Sequence, residues 1–291
     1  MATDAAFAAE RSYLTQLAYR LLGSVQDAED VVQEAWLRWQ ETGRPVLEVP
    51  RAWFTRVVSR LCLDRLRAAE RRPERYFGEW LPEPWIEPAP SHELDETLSQ
   101  ALLQTLQRLS PGERAVFLLH DVFGYEFQEV AAMLDLEPAN ARQLAVRARQ
   151  HLGPLSATSK RPGSRPAAEQ VERLGHAFFA ALRGGDVDGL RGLLREDVVL
   201  RSDGGGKVSA VHYPLRGADR VVRFFDRLLV RTGWHREQRV EARWWNGAPG
   251  FLLFGPGDQL VGAYQFEVED GRVARILVQR NPDKLRGFFR R

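Results

Sequence analysis

Residues 124–152, GYEFQEVAAMLDLEPANARQLAVRARQHL, read as two short helices joined by a tight turn, the second of them basic. Val130, Ala131 and Leu134 have the apolar spacing of a first helix, and Leu136 falls where the turn needs a plug. Pro138 suits an early helical position. After it, Ala141, Leu144, Ala145 and Ala148 share one face, leaving Arg142, Gln143, Val146 and Arg147 on the other. A helix of this kind fits the DNA major groove, where Arg reads guanine and Gln reads adenine through paired hydrogen bonds. The competing interpretation of the segment alone is an ordinary αα-hairpin with a solvated basic face.

Working outward, charge is segregated along the chain although the net charge is only +2. Residues 1–50 carry four Arg against eight acids, and residues 51–75 carry eight Arg against three. Residues 76–137 reverse to two Arg against twelve acids, and 138–152 hold three Arg and no acid. Two basic patches in an acidic background fit a protein that touches DNA at two places and another partner between them. Cys62 is the sole cysteine, so no disulfide framework is expected within this chain. No apolar run approaches a membrane span and the N-terminus, with Asp4 and Glu10, does not read as a leader, so the expected location is cytoplasmic.

Helical periodicity runs through the rest of residues 1–152. Phe7 to Leu22 forms one pattern ending at Gly23, and a second helix begins near Asp27. In the second, Asp27, Asp30 and Glu34 fall on one strip while Val31, Ala35 and Leu37 face inward. Pro50 opens a third, with Trp53, Val57, Leu61 and Leu66 as its apolar stripe and Arg56, Arg60, Arg67, Arg71 and Arg72 outside. Trp36, Trp39 and Trp53 are expected in the interior. A helical pair fills Leu94 to Val122, its second member starting at Ser110-Pro111.

Taken in order, the acidic DAEDVVQEAWLRW helix, the Trp-Phe-Thr-Arg entry to an Arg-rich helix, and SPGERAVFLLHDVFGYEFQEVAAML before the basic helix resemble a bacterial RNA polymerase sigma factor of the extracytoplasmic function (ECF) type. The resemblance covers roughly Phe7 to Arg75 and Leu94 to Leu152. It implies that Asp27, Asp30, Gln33, Glu34 and Trp36 dock on the polymerase β′ coiled coil, with core polymerase (β′ and β subunits) and promoter DNA as partners. It puts the minus-ten element on Arg56, Arg60, Asp64 and Arg67, with the preceding Gly43 to Pro50 loop. The minus-thirty-five element falls to Arg142, Gln143, Val146 and Arg147. The family's usual small residue or Asn in the minus-ten helix is replaced by Arg60 and Asp64.

Between the two blocks lies YFGEWLPEPWIEPAP, residues 76–90, whose prolines favour extended chain and whose aromatic groups call for burial. It is expected to dock on the polymerase cleft or on this chain's own C-terminal domain. GPLSATSKRPGSRP, Gly153 to Pro166, is a linker by content. Beyond it come a helix from Glu169 to Leu182, a strand from Asp197 to Ser202, a Gly204 to Gly206 turn and a strand from Val208. A helix from Ala218 to Val230 and three strands, Arg239–Trp245, Leu260–Glu267 and Val273–Gln279, complete the pattern, with Asn246-Gly247 and Asp270-Gly271 as turns. This resembles the SnoaL-like branch of the nuclear-transport-factor-2-like cone fold.

DGGGK at Asp203 to Lys207, NPDKL at Asn281 to Leu285 and WLPEP at Trp80 to Pro84 resemble the signatures of the ECF subgroup with a fused SnoaL-like domain. The expected architecture is multidomain. Two all-α sigma domains (1–75, and 94–152 with the helix-turn-helix) are joined by a connector (76–93) and followed by a linker (153–167) and an α+β SnoaL-like regulatory domain (168–291). Tyr76, Trp80, Pro82, Asp203, Gly204, Gly205, Gly206, Lys207, Asn281, Pro282, Asp283 and Lys284 are the expected regulatory interdomain residues. No metal, cofactor or catalytic residue is expected, although Asp203, His212 and His235 are the acid–base candidates if the cone domain were an isomerase or cyclase. A small ligand in the cone pocket, and a ligand-sensing DNA binder acting without polymerase, are the remaining alternatives.

Overall fold

The computed structural model describes residues 2–42, 48–71, 78–86, 100–153, 168–232 and 239–289. They form two compact units, one built from residues 1–74 and 100–161 and the other from 75–99 and 162–291. The second unit includes the described connector residues, 78–86. Tyr76, Phe77, Pro88, Pro90, His235, residues 43–47 of the loop before Pro50, and residues 154–167 of the linker lie outside the described residues.

The first unit is helical: α1 (Ala2–Leu22), α2 (Val25–Glu41), α3 (Pro50–Arg71), α4 (Gln100–Leu106), α5 (Pro111–Phe117), α6 (Phe127–Leu134) and α7 (Pro138–Leu152). A π-helical turn, Leu118–Val122, continues α5. Each start has a local cause. Ser24 caps α2 by accepting from the Asp27 N–H, and Ser110 with Glu113 forms a reciprocal capping box ahead of Pro111 on α5. The core of α1–α3 contains Leu14, Leu17, Val31, Ala35, Trp39, Phe54 and Val58, all essentially solvent-free.

The buried face of α3 is rotated from the expected stripe. Phe54, Thr55, Val58, Ser59, Leu61, Cys62 and Leu63 are buried, whereas Trp53, Val57 and Leu66 are only half-buried. The physical reason is that α3 packs on both sides, against α1 and α2 and against α5 and α6, so one stripe does not describe it. Of the three tryptophans, Trp39 is interior while Trp36 and Trp53 stay half-exposed, and Leu37 points to solvent at 47%.

The second unit begins with α8 (Ala168–Gly184) and α9 (Val187–Leu193), followed by β1 (Leu194–Asp203), β2 (Leu215–Arg216) and α10 (Ala218–Thr232). A meander of β3 (Arg239–Trp245), β4 (Ala248–Phe254), β5 (Leu260–Glu269) and β6 (Arg272–Gln279) leads to α11 (Pro282–Leu285). The sheet order is β2-β1-β6-β5-β4-β3, with β1 parallel to β6 and every other pairing antiparallel. Asn246-Gly247 and Asp270-Gly271 take the positive φ that tight hairpins demand. Phe178, Phe179, Phe225, Phe251, Tyr264 and Phe266 fill the space between helices and sheet.

Two strand expectations are corrected. No strand starts at Val208: Lys207 and Val208 both donate to the Gly204 carbonyl, folding the chain into a turn, and pairing resumes only at Leu215–Arg216. Ala248–Phe254 is a strand that the alternation test passes over, because nearly every residue of it is buried on one side of the sheet or the other.

Candidate functional site

On α7, three alanines at positions 141, 145 and 148 pack inward against the helical unit while Arg142, Gln143, Val146 and Arg147 are all exposed. The four expected base-reading side chains therefore share one open face. Leu136 is half-buried in the turn, which Asp135 makes with a left-handed backbone, φ 60°. Arg142 lies 5.9 Å over the Phe127 ring, fixing its stem beside the start of α6. Arg149 is different: its Nε and Nη2 make a two-pronged bond, 3.0 and 2.9 Å, to the carboxylate of Asp121, whose side chain is 1% exposed. It pins α7 to the turn after α5.

On α2, Asp27, Asp30 and Gln33 are exposed and Glu34 and Trp36 half-buried, so the expected docking residues form a continuous acidic strip. Arg65 from α3 reaches back to Asp27 and Glu34 at 3.7 and 3.5 Å, and Arg38 pairs with Glu34 at 2.8 Å. These are solvent-screened pairs, and they leave Asp30 as the strip's acid with no ion pair among the described residues.

On α3, Arg56, Asp64 and Arg67 are exposed. Arg60 is engaged: its Nε donates to the Met133 carbonyl at 2.8 Å and its Nη2 lies 3.5 Å from the Asp135 carboxylate, so it caps the C-terminal end of α6. The two helical blocks are joined again by Tyr13, whose hydroxyl meets that of Tyr125 at 2.6 Å, and by Arg114. Arg114 is 4% exposed and donates to the Leu106 and Leu21 carbonyls, tying the ends of α4 and α1 together. Burial pushes its guanidinium down to about 10. Sequence reasoning missed this residue, which reads as one more charge in a polar helix.

In the second unit the connector is held along residues 79–86. Asp203 is fully buried at the end of β1; its Oδ2 accepts from the Leu81 N–H at 2.9 Å and from Lys284 Nζ at 2.7 Å. Lys284, from α11, also donates to the Leu81 carbonyl at 2.6 Å and sits 4.1 Å from the Trp80 ring centroid. Desolvation pulls the Lys284 ammonium below its ordinary pKa, against the opposing attraction of Asp203. Thus Trp80, Asp203 and Lys284 meet at one buried point, with Leu81 fully buried and Pro82 and Pro84 buried beside it.

The glycines follow from crowding. A Cβ on Gly204 would meet the Val208 carbonyl oxygen at 2.5 Å, and one on Gly205 would meet the Asn281 side chain at 2.3 Å. Gly205 and Gly206 both have positive φ, and the Gly205 N–H binds the second Asp203 oxygen at 2.9 Å. Asn281 caps α11 through the Asp283 N–H. Pro282 occupies the first helical position, and Lys207 pairs with Asp283 at the surface, holding that carboxyl below its usual range.

Further contacts were not anticipated. Trp85 and Asn246 exchange hydrogen bonds of 2.8 and 2.9 Å, and Arg201 pairs with Glu79 at 2.6 Å. Asn246 reads in the sequence only as a turn residue. Of the acid–base candidates, His212 is exposed, and Asp203 is enclosed by its partners.

An open basic recognition helix, an acidic helix and a captured connector are the parts of a promoter-recognition factor with a fused α+β domain, and the chain belongs to the ECF RNA polymerase sigma factor family. Residues 6–72 match the model of sigma-70 region 2 and residues 99–152 that of sigma-70 region 4. The chain is 40% identical to the ECF RNA polymerase sigma factor SigJ of Mycobacterium tuberculosis, over 97% of this chain and 92% of that one. It is 33% identical to the probable ECF RNA polymerase sigma factor SigI of the same species, over 97% and 94%. The crystal structure of M. tuberculosis SigJ superimposes with a TM-score of 0.77 at 36% identity, covering 97% of this chain and 98% of that one. The protein is a sigma factor: it binds core RNA polymerase and directs promoter recognition and transcription initiation.

Proposed function

We propose that this sigma factor divides its work among three surfaces and is regulated by its own C-terminal domain. The α2 strip, Asp27, Asp30, Gln33, Glu34 and Trp36, takes the polymerase β′ coiled coil. Arg56, Arg60, Asp64 and Arg67 serve the minus-ten element, where capturing an extruded base needs a rigid helix with cations beside it. Arg142, Gln143, Val146 and Arg147 read the minus-thirty-five duplex. Their joint exposure on α7 supports this assignment.

The regulatory reading rests on one observation above all: the connector between the two sigma blocks is hydrogen-bonded through Leu81 to the buried Asp203–Lys284 pair. A connector held there is withheld from the polymerase cleft, and the bond from Arg60 to α6 likewise keeps one minus-ten residue occupied. Polymerase binding and release of these contacts are then competing equilibria. The enclosure of Asp203 speaks against an acid–base role, so we assign no catalysis to the domain, and we place the protein in the cytoplasm with its polymerase. No helix among the described residues is long and apolar enough to cross a membrane.

The test is transcription by core polymerase on genomic fragments, including the gene's own upstream region, with the full chain, with Asp203→Ala and with a truncation after Leu152. Altered output from both variants is expected. Identical output from all three would remove the regulatory reading while leaving promoter recognition intact.

A further inference from the structure

The cone domain carries a cavity that neither promoter recognition nor connector capture uses. Its volume is about 670 Å³, and its lining is Ser209, Leu215, Arg220, Arg223, Phe224, Arg227 and Leu228. That volume falls within the range of small-molecule sites, roughly 300–1,000 Å³. The space between helices and sheet is filled by aromatic side chains, so this cavity lies beside the core, between one face of α10 and the chain leading into β2.

The lining is chemically two-sided. Val221, Val222 and Phe225 turn the apolar face of α10 into the core, which places Arg220, Arg223 and Arg227, at spacings of three and four, on a neighbouring strip. Leu215, Phe224 and Leu228 are half-buried and supply an apolar wall. Among the described residues no carboxylate lies within ion-pair distance of these three arginines, and Asp219 on the same helix is taken by Arg191. Elsewhere in the unit, Arg195, Arg201, Arg239 and Arg275 each have an acidic partner. Three guanidinium groups bordering one cavity repel one another, and an anion relieves that repulsion through planar, two-pronged hydrogen bonds.

We propose that this cavity binds a small amphipathic anion, a carboxylate or phosphate monoester on an aliphatic or aromatic body, with the arginines taking the headgroup and Leu215, Phe224 and Leu228 the body. Ser209 on its wall belongs to the loop that begins at Asp203, and its carbonyl accepts from Arg280 at 2.6 Å, so the site adjoins the connector clamp along the chain. The inference is independent of the promoter reading, because binding is measured on the chain alone.

The experiment is isothermal titration of the full chain with decanoate and with decyl phosphate below micelle-forming concentrations. Decanol, decyltrimethylammonium, inorganic phosphate and a random DNA duplex are the comparisons. Saturable binding of either decyl anion is expected, and whichever binds more tightly identifies the headgroup. The double variant Arg223→Gln/Arg227→Gln and the single Arg220→Gln should weaken it, the double by about tenfold or more. Arg216→Gln, on the neighbouring strand and outside the lining, should not. Each variant replaces an arginine by an uncharged side chain at an exposed position, so matching circular dichroism is expected. No binding of either anion, equal binding of decanol, inorganic phosphate as tight as decyl phosphate, or unchanged affinity in the double variant would overturn the proposal. So would binding of the duplex alone through these arginines, which would make the surface a nucleic-acid contact.

Discussion

At the scale of single residues, the Asp203–Lys284 pair sets the largest expected effects. Removing one member of a buried ion pair costs about 3–5 kcal/mol, because the remaining charge keeps its desolvation penalty. Asp203→Ala takes the carboxylate from Lys284 and the acceptor from the Leu81 N–H. It should lower the urea midpoint of the C-terminal unit and expose residues 79–86 to protease; an unchanged cleavage pattern would show that the connector is held by other means. Glu113 gives a pH dependence. Burial raises its pKa, but the Ser110 backbone and side-chain bonds and His151 outweigh it, leaving the group below its ordinary 4.5. A carboxyl lowered on folding contributes stability above its unfolded pKa and loses it as pH falls through 4.5 toward the folded value. Glu113→Gln should therefore flatten the acid side of the stability profile of the helical unit, read by thermal unfolding at a series of pH values.

At the scale of elements, α7 separates reading from support. Arg142→Ala should cost about 1–3 kcal/mol in binding and relax preference at one position of the upstream element. Arg149 lies on the same helix, yet its two-pronged bond to buried Asp121 makes it a structural pin. Arg149→Ala should cost about 1.5–3 kcal/mol of helical-unit stability, and competition assays with full-length chain should show weaker binding to every sequence as a consequence of that loss. Unchanged thermal unfolding would refute the pin. On α2, Arg65 already leans on Asp27 and Glu34, so a reversal there alters packing with α3 as well as charge. Asp30→Lys is the cleaner probe: it should weaken core polymerase binding in a pull-down while leaving unfolding unchanged.

At the scale of the whole molecule, truncation after Leu152 removes the clamp and should change transcription in the same direction as Asp203→Ala, since both free the connector; opposite directions would mean that the domain contributes something beyond holding it. Much of this organisation was legible from sequence. The outward set on α7 follows from alanine spacing, and the starts of α3 and α5 follow from Pro50 and Ser110-Pro111, because a helix repeats every 3.6 residues and its ends need local partners. Charge blocks and the order of motifs likewise determined the class of protein. Only the tertiary structure decided which face of α3 is buried, that Ala248–Phe254 is a strand, that Arg60, Arg114 and Arg149 serve as ties, and that Asp203, Lys284 and Trp80 meet across the connector. These depend on partners many residues away. Local periodicity describes one element against an unspecified interior, whereas burial of an ion pair or a two-sided helix is fixed by whichever elements close over it.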